Sequence, residues 1–152
     1  MTSLIEDIEA IKALKYRYTR CLDLKLWDEF TDCMTPDCSA DYAGLVFADR
    51  AALVEYMSTN MGPGLISMHH VHHPEISVDG DVATGIWYLE DKVIVPGFDF
   101  ALEGAAFYED RYVRTPAGWK IARTGYRRTY EASWSLKDLA SYKFTVGTAY
   151  DA

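Results

Sequence analysis

The stretch ISMHHVHHPEISVDGDVATGIWYLEDKVIV, residues 66–95, decides the fold. Upstream of it apolar residues recur every three or four positions. From Ile66 onward the period is two, the spacing of a half-buried strand. Ile66 to His73 reads as strand, Asp79-Gly80 as the tight turn of a hairpin, and Val82 to Val95 as a long returning strand. Pro96-Gly97 breaks the pattern, a further strand is predicted over 98–114, Thr115-Pro-Ala-Gly118 turns again, and Trp119 to Tyr130 closes the series.

Working back toward the N-terminus, Ser3-Leu-Ile-Glu6 has the form of a capping box. Leu4, Ile8, Ile11, Leu14, Tyr18, Cys21 and Leu22 behind it mark one apolar face of a helix reaching about residue 22. A short helix is predicted over 26–34, stopped ahead of Pro36, and a short strand over 38–43. Asp49 is placed to cap a third helix with Leu53, Tyr56 and Met57 inward. Helices first and an antiparallel sheet afterwards define the α+β class. Gly85, Gly104 and Gly125 inside long strands point to a bent sheet whose concave side, crossed by helices, holds a pocket.

The 152 residues are expected to form one domain over 1–152, with the aromatic-rich tail 131–152 acting as a lid or a subunit contact. A net charge of −8 with dispersed basic residues argues against nucleic acid and anionic membrane as partners. No apolar run is long enough to span a bilayer and no signal pattern opens the chain, so a cytoplasmic location is the default. Cys21, Cys33 and Cys38 are odd in number and lack a CxxC pair, so neither a disulfide framework nor a thiolate zinc site is expected. An uncovered sheet face predicts a homo-oligomer, a dimer or trimer.

All four histidines fall between residues 69 and 73. On strand parity His69 and His73 share one face, and His70 and His72 the other, about 6–7 Å apart. His70 and His72 could chelate one ion between them, but nothing in the sequence points to a third ligand, and no metal is expected. The chemistry preferred is acid–base: an imidazole titrates near neutrality and works with a carboxylate that fixes its tautomer. Asp23, at the end of the first helix, is the carboxylate placed to do so.

Tyr18-x4-Asp23, the helix at Trp27-Asp28, Thr35-Pro-Asp-Cys38 leading into Asp41-Tyr42, and Ser67-Met-His69 ahead of Val78-Asp-Gly-Asp81 follow one another in an order that resembles the SnoaL-like branch of the nuclear-transport-factor-2-like superfamily, over residues 3 to 130. Within it the chain is similar to scytalone dehydratase, bile-acid 7α-dehydratase and hexachlorocyclohexane dehydrochlorinase. The resemblance implies a cone-shaped, curved mixed sheet wrapped around the N-terminal helices, a cystatin-like roll with a hydrophobic pocket inside. It also implies a cofactor-free Asp–His pair, carried onto Asp23 and His69, with pocket tyrosines at Tyr18 and Tyr42. Asp91 stands nearest to a further polar residue of those relatives. Where the dehydrochlorinase has an arginine on its last strand, Thr124 aligns, beside Arg123.

The function expected is a lyase: elimination beside a carbonyl on a small hydrophobic cyclic or aromatic substrate, with His69, Asp23, Tyr18 and Tyr42 catalytic and Trp87, Leu89, Asp91, Phe107 and Tyr126 lining the substrate site. A non-catalytic binding or assembly domain of the same fold, and an isomerase of ketosteroid type using a carboxylate base, are the alternatives. The arginines of the last strand, Arg123, Arg127 and Arg128, are expected in ion pairs on the outer sheet face, with an inward arginine as the other possibility.

Overall fold

The computed structural model describes residues 3–149. Helix α1 spans Leu4–Leu24, α2 Trp27–Asp32 and α3 Arg50–Asn60. The strands are β1 Met34–Tyr42, β2 Leu45–Phe47, β3 Ile66–Asp79, β4 Val82–Val95, β5 Phe100–Thr115 and β6 Gly118–Trp134. They form one six-stranded sheet in the order β2-β1-β6-β5-β4-β3. β1 runs parallel to β6 and every other pairing is antiparallel, so the sheet is mixed and open.

α1 begins as its sequence dictates. The Ser3 hydroxyl accepts from the Glu6 amide and the Glu6 carboxylate accepts from the Ser3 amide, satisfying two of the donors that a helix start leaves without partners. It ends at Lys25, which takes the left-handed conformation at φ 60° and donates its amide back to Cys21 and Leu22. The helix lies across the concave side, burying Ile11, Leu14, Tyr18, Cys21 and Leu22 against β3 and β6. Its N-terminal end is tied down by Asp7, which accepts two hydrogen bonds from Arg114, at 2.7 and 2.8 Å, and one from the Trp119 indole. α3 starts at Asp49, whose carboxylate accepts from the Ala52 amide at 2.9 Å. Leu53 and Met57 are buried there, while Tyr56 stays largely exposed with its ring against Phe47.

Two expectations about the strands change. The helix predicted over 26–34 is shorter, and β1 already begins at Met34, running through Pro36. Pro36 sits where the β1–β6 register shifts between Met34 and Ser39, so its missing N–H breaks no rung of the ladder. β3 is one strand through to Asp79, with a bulge between His72 and Glu75 that absorbs an extra residue around Pro74. The bulge ends strict alternation, and His73 packs on Tyr88 and His72 instead of sharing the face of His69.

The sheet glycines sit at close approaches. A Cβ at Gly104 would come within 2.7 Å of the Arg128 guanidinium, and one at Gly125 would overlap the Asp41 backbone across the parallel β1–β6 pair. In the tail no helix follows Ser135 within the described residues. Its hydroxyl donates to Asp99 at 2.6 Å, as the Lys137 amide does at 2.9 Å. Residues 150–152 of the proposed lid lie outside the described part of the chain.

Candidate functional site

Asp23 lies in the last turn of α1, where the negative end of the helix dipole opposes a carboxylate. Three donors from β3 offset that cost. The Ser67 hydroxyl donates to Oδ1 at 2.7 Å, the His69 amide to Oδ2 at 2.9 Å, and His69 Nδ1 lies 2.6 Å from Oδ1. A carboxylate is acceptor-only when ionised, so Nδ1 carries the proton and Nε2 holds the free lone pair of the neutral ring. The two side chains keep 10% and 19% of their surface, so the pair is shielded yet reachable.

His69 is the direct cross-strand partner of Asp91, which sets their Cβ atoms about 4.5–5.5 Å apart. Asp91 is buried and gripped by both terminal nitrogens of Arg128, whose guanidinium lies 4.9 Å from the Tyr126 ring centroid and also reaches Glu131. Arg128 thus points inward, not into an outer-face ion pair. The cause is a bulge in β6. Ala122 has no partner between the Arg111–Arg123 and Tyr112–Ile121 rungs, so Thr124, Tyr126 and Arg128 take the inner face that Trp119 and Ile121 held before it. Arg123 and Arg127 face out, where Arg127 pairs with Glu109. Arg128 is the last-strand arginine whose expected outer-face ion pair is overturned.

Tyr18 and Tyr42 meet through their hydroxyls in the interior, with Tyr18 against Phe30 and Tyr42 stacked on Tyr126. Burial pushes both phenols well above their ordinary range, so each stays an O–H donor. Beneath them lies a feature the sequence did not announce. Lys15 and Asp110, both fully buried, form an ion pair at 2.7 Å. Thr124 and Tyr112 each donate to Asp110 at 2.7 Å, the Trp87 indole donates to Tyr112 at 2.9 Å, and the Lys15 ammonium lies 3.4 Å from the centre of the Tyr108 ring. Burial lowers the Lys15 pKa and Asp110 opposes that shift.

Of the residues expected to line the substrate site, Trp87, Leu89 and Asp91 share the inner face and are buried, and Tyr126 is partly so. Phe107 is not with them. It stands opposite Tyr88 on the outer face, the two ring centroids 4.3 Å apart. Trp87 belongs to the packed core through Tyr112 and Tyr16.

Two depressions border these elements. A cleft of about 450 Å³ opens between the end of α1 and the loop ahead of β3, lined by Leu24, Lys25, Pro63, Leu65, Ile66 and Val146 of the tail. Leu24 and Ile66 are the chain neighbours of Asp23 and Ser67, but neither Asp23 nor His69 is among the residues that line the cleft. A groove of about 590 Å³ lies on the outer sheet face among Asp41, Thr84, Glu109, Arg111, Arg123 and Arg127.

The SnoaL-like domain model matches residues 3–125. The chain belongs to the SnoaL-like domain family. It is 28% identical over 122 residues to the uncharacterized protein Rv2910c of Mycobacterium tuberculosis, a span of 78% of this chain and 83% of that one. Among solved structures it is similar to a scytalone dehydratase candidate of Novosphingobium aromaticivorans, with a TM-score of 0.79, 19% identity, and 87% and 90% of the two chains covered. It is likewise similar to the hexachlorocyclohexane dehydrochlorinase of Novosphingobium barchaimii, with a TM-score of 0.79, 16% identity, and 94% and 97% covered. The fold of this SnoaL-like domain is therefore the nuclear-transport-factor-2-like cone. No described helix is long and apolar enough to cross a membrane.

Proposed function

We propose that this SnoaL-like protein is a cofactor-independent acid–base lyase acting on a small hydrophobic cyclic or aromatic substrate. The observation that carries the proposal is the triple acceptance at Asp23. With Ser67, the His69 amide and His69 Nδ1 all donating to one carboxylate, the imidazole is held in the tautomer that leaves Nε2 basic. No described group hydrogen-bonds to Nε2.

In the reaction inferred, Nε2 removes a proton alpha to a carbonyl, and Asp23 stabilises the imidazolium formed. Tyr18 and Tyr42 are kept protonated by burial and bond each other, so one hydroxyl donates to its partner and the other donates toward the oxygen that gains charge, directly or through water. The leaving group departs from the adjacent carbon, and His69 returns its proton to it. Asp91, across the strand from His69 and itself held by Arg128 of β6, adds a fixed carboxylate beside the imidazole. Positioned proton transfer of this kind contributes about 10²–10⁴-fold. The printed names of two structural neighbours, a dehydratase and a dehydrochlorinase, describe eliminations and agree with this class. The carboxylate-base isomerase is less favoured. Asp23 already accepts three hydrogen bonds and Asp91 is clamped by Arg128, so His69 Nε2 is the least encumbered base.

The test is a screen of β-hydroxy and β-halo cyclic ketones, followed by kinetics of His69→Ala and Asp23→Asn on the best substrate. Each variant is expected to lose about 10²–10⁴-fold in kcat with far-UV circular dichroism unchanged. Full turnover in both variants would end the proposal. Equal ligand affinity with no turnover in the wild type would instead support the binding-domain reading.

A further inference from the structure

We propose that His70, His72 and Glu90 form a binding site for a divalent transition-metal ion on the outer face of the sheet. The sequence offered two imidazoles and no third ligand. The register supplies it: Glu90 of β4 is the direct partner of His70, and His72 is the next residue along that face of β3. The imidazole and carboxylate atoms of the three all lie within 4.8 Å of one another. His72 Nε2 is 3.6 Å from Glu90 Oε2, and the His70 and His72 ring centroids are 5.8 Å apart at 81°.

Ligands at the usual zinc bond lengths sit about 3.3 Å from each other on a tetrahedron. The observed spread therefore closes by about 1.5 Å at its widest, within reach of side-chain rotation, since all three residues are exposed. Two imidazoles and one carboxylate make a borderline donor set suited to Zn²⁺, Ni²⁺ or Cu²⁺ rather than to Mg²⁺ or Ca²⁺, which prefer oxygen alone. The net charge of −8 favours a cation at any surface position. Three protein ligands leave a fourth position for water. The site faces away from Asp23 and His69, on the opposite side of β3, and does not depend on the lyase reading. A bound ion would join the sheet's edge strand to β4 at the residue next to His69.

The experiment uses the full chain without a histidine tag, stripped with a chelator, and titrated with Zn²⁺ by calorimetry, with Mg²⁺ as the control. One Zn²⁺ per chain and no saturable Mg²⁺ binding are expected. Affinity should fall as the pH is lowered, because both rings must be neutral to ligate. His70→Ala, His72→Ala and Glu90→Gln should each weaken Zn²⁺ by at least the roughly tenfold that losing a mere supporting partner of a ligand costs. Zn²⁺ should raise the melting temperature of the wild type and not that of the His70→Ala/His72→Ala double variant. The substitutions are at exposed positions, and circular dichroism checks the fold of each. Absence of saturable one-to-one Zn²⁺ binding, or a double variant that binds as tightly as the wild type, would overturn the site.

Discussion

At the residue scale, Asp23 shows how a poor local position is rescued by long-range donors. A helix C-terminus disfavours a carboxylate, yet the serine and histidine two residues apart on β3 supply its hydrogen bonds. Ser67→Ala removes one charge-assisted bond at a part-buried site. It should lower unfolding free energy by about 1–3 kcal/mol in denaturant titration. It should also reduce turnover less than His69→Ala does, because Nδ1 keeps its partner. Arg128→Lys is not conservative here, since one ammonium cannot reproduce a two-nitrogen grip on Asp91. A loss of stability in that variant, with no rescue of kcat, is the expected result.

Elements are held together by the polar core as much as by apolar packing. Lys15 of α1 and Asp110 of β5 are far apart in sequence and have no solvent exposure in the fold. Removing one partner strands the other charge, so Lys15→Met or Asp110→Asn should each cost about 3–5 kcal/mol. The double variant should cost less than the sum of the two, a coupling that a double-mutant cycle measures directly. This pair also marks the limit of what the sequence discloses. The helix caps at Ser3 and Asp49, the change of period at Ile66, the hairpin turn and the Asp23–His69 proximity were legible because each rests on local spacing or on an ordered set of motifs. Arg128 and His73 were not. Single-residue bulges at Ala122 and around Pro74 reverse which side chains face inward, and no alternation pattern reveals where a strand will take up an extra residue. Phe107 involves no bulge: β5 pairs with β4 without a register shift, and alternation with the inward Tyr108 turns Phe107 outward. The three-residue β2 strand was missed because so short a run carries no period at all.

For the whole molecule, the buried titratable groups set the response to alkali. Burial raises the Cys33 and Cys38 thiols to about 11 and about 12, and it pushes Tyr18, Tyr42, Tyr108 and Tyr112 upward as well. Below the thiols' ordinary value of 9.0 both folded and unfolded chains keep these protons, and the shifts have no effect. Above it the unfolded chain ionises first, so stability falls as pH climbs toward the folded values. Lys15 and Lys25, with their folded values lowered by burial, work in the opposite sense. Chemical denaturation midpoints should therefore drop steadily from pH 9 to 11. The same thiols should react slowly with a disulfide reagent at pH 8 until the chain is unfolded. Exposed Ile86 and Tyr88 with Phe107 on the outer sheet face make assembly the expectation. Sedimentation should give two or three times the 17.2 kDa chain mass.

β3 closes the sheet on one side, and the Asp23 carboxylate accepts from the backbone amide of His69 there. That amide is one a neighbouring molecule's strand would otherwise seek. The carboxylate thus keeps one edge amide of β3 occupied. A variant that cannot accept there leaves that amide open to strand addition, so yield and light scattering belong beside every assay of this position.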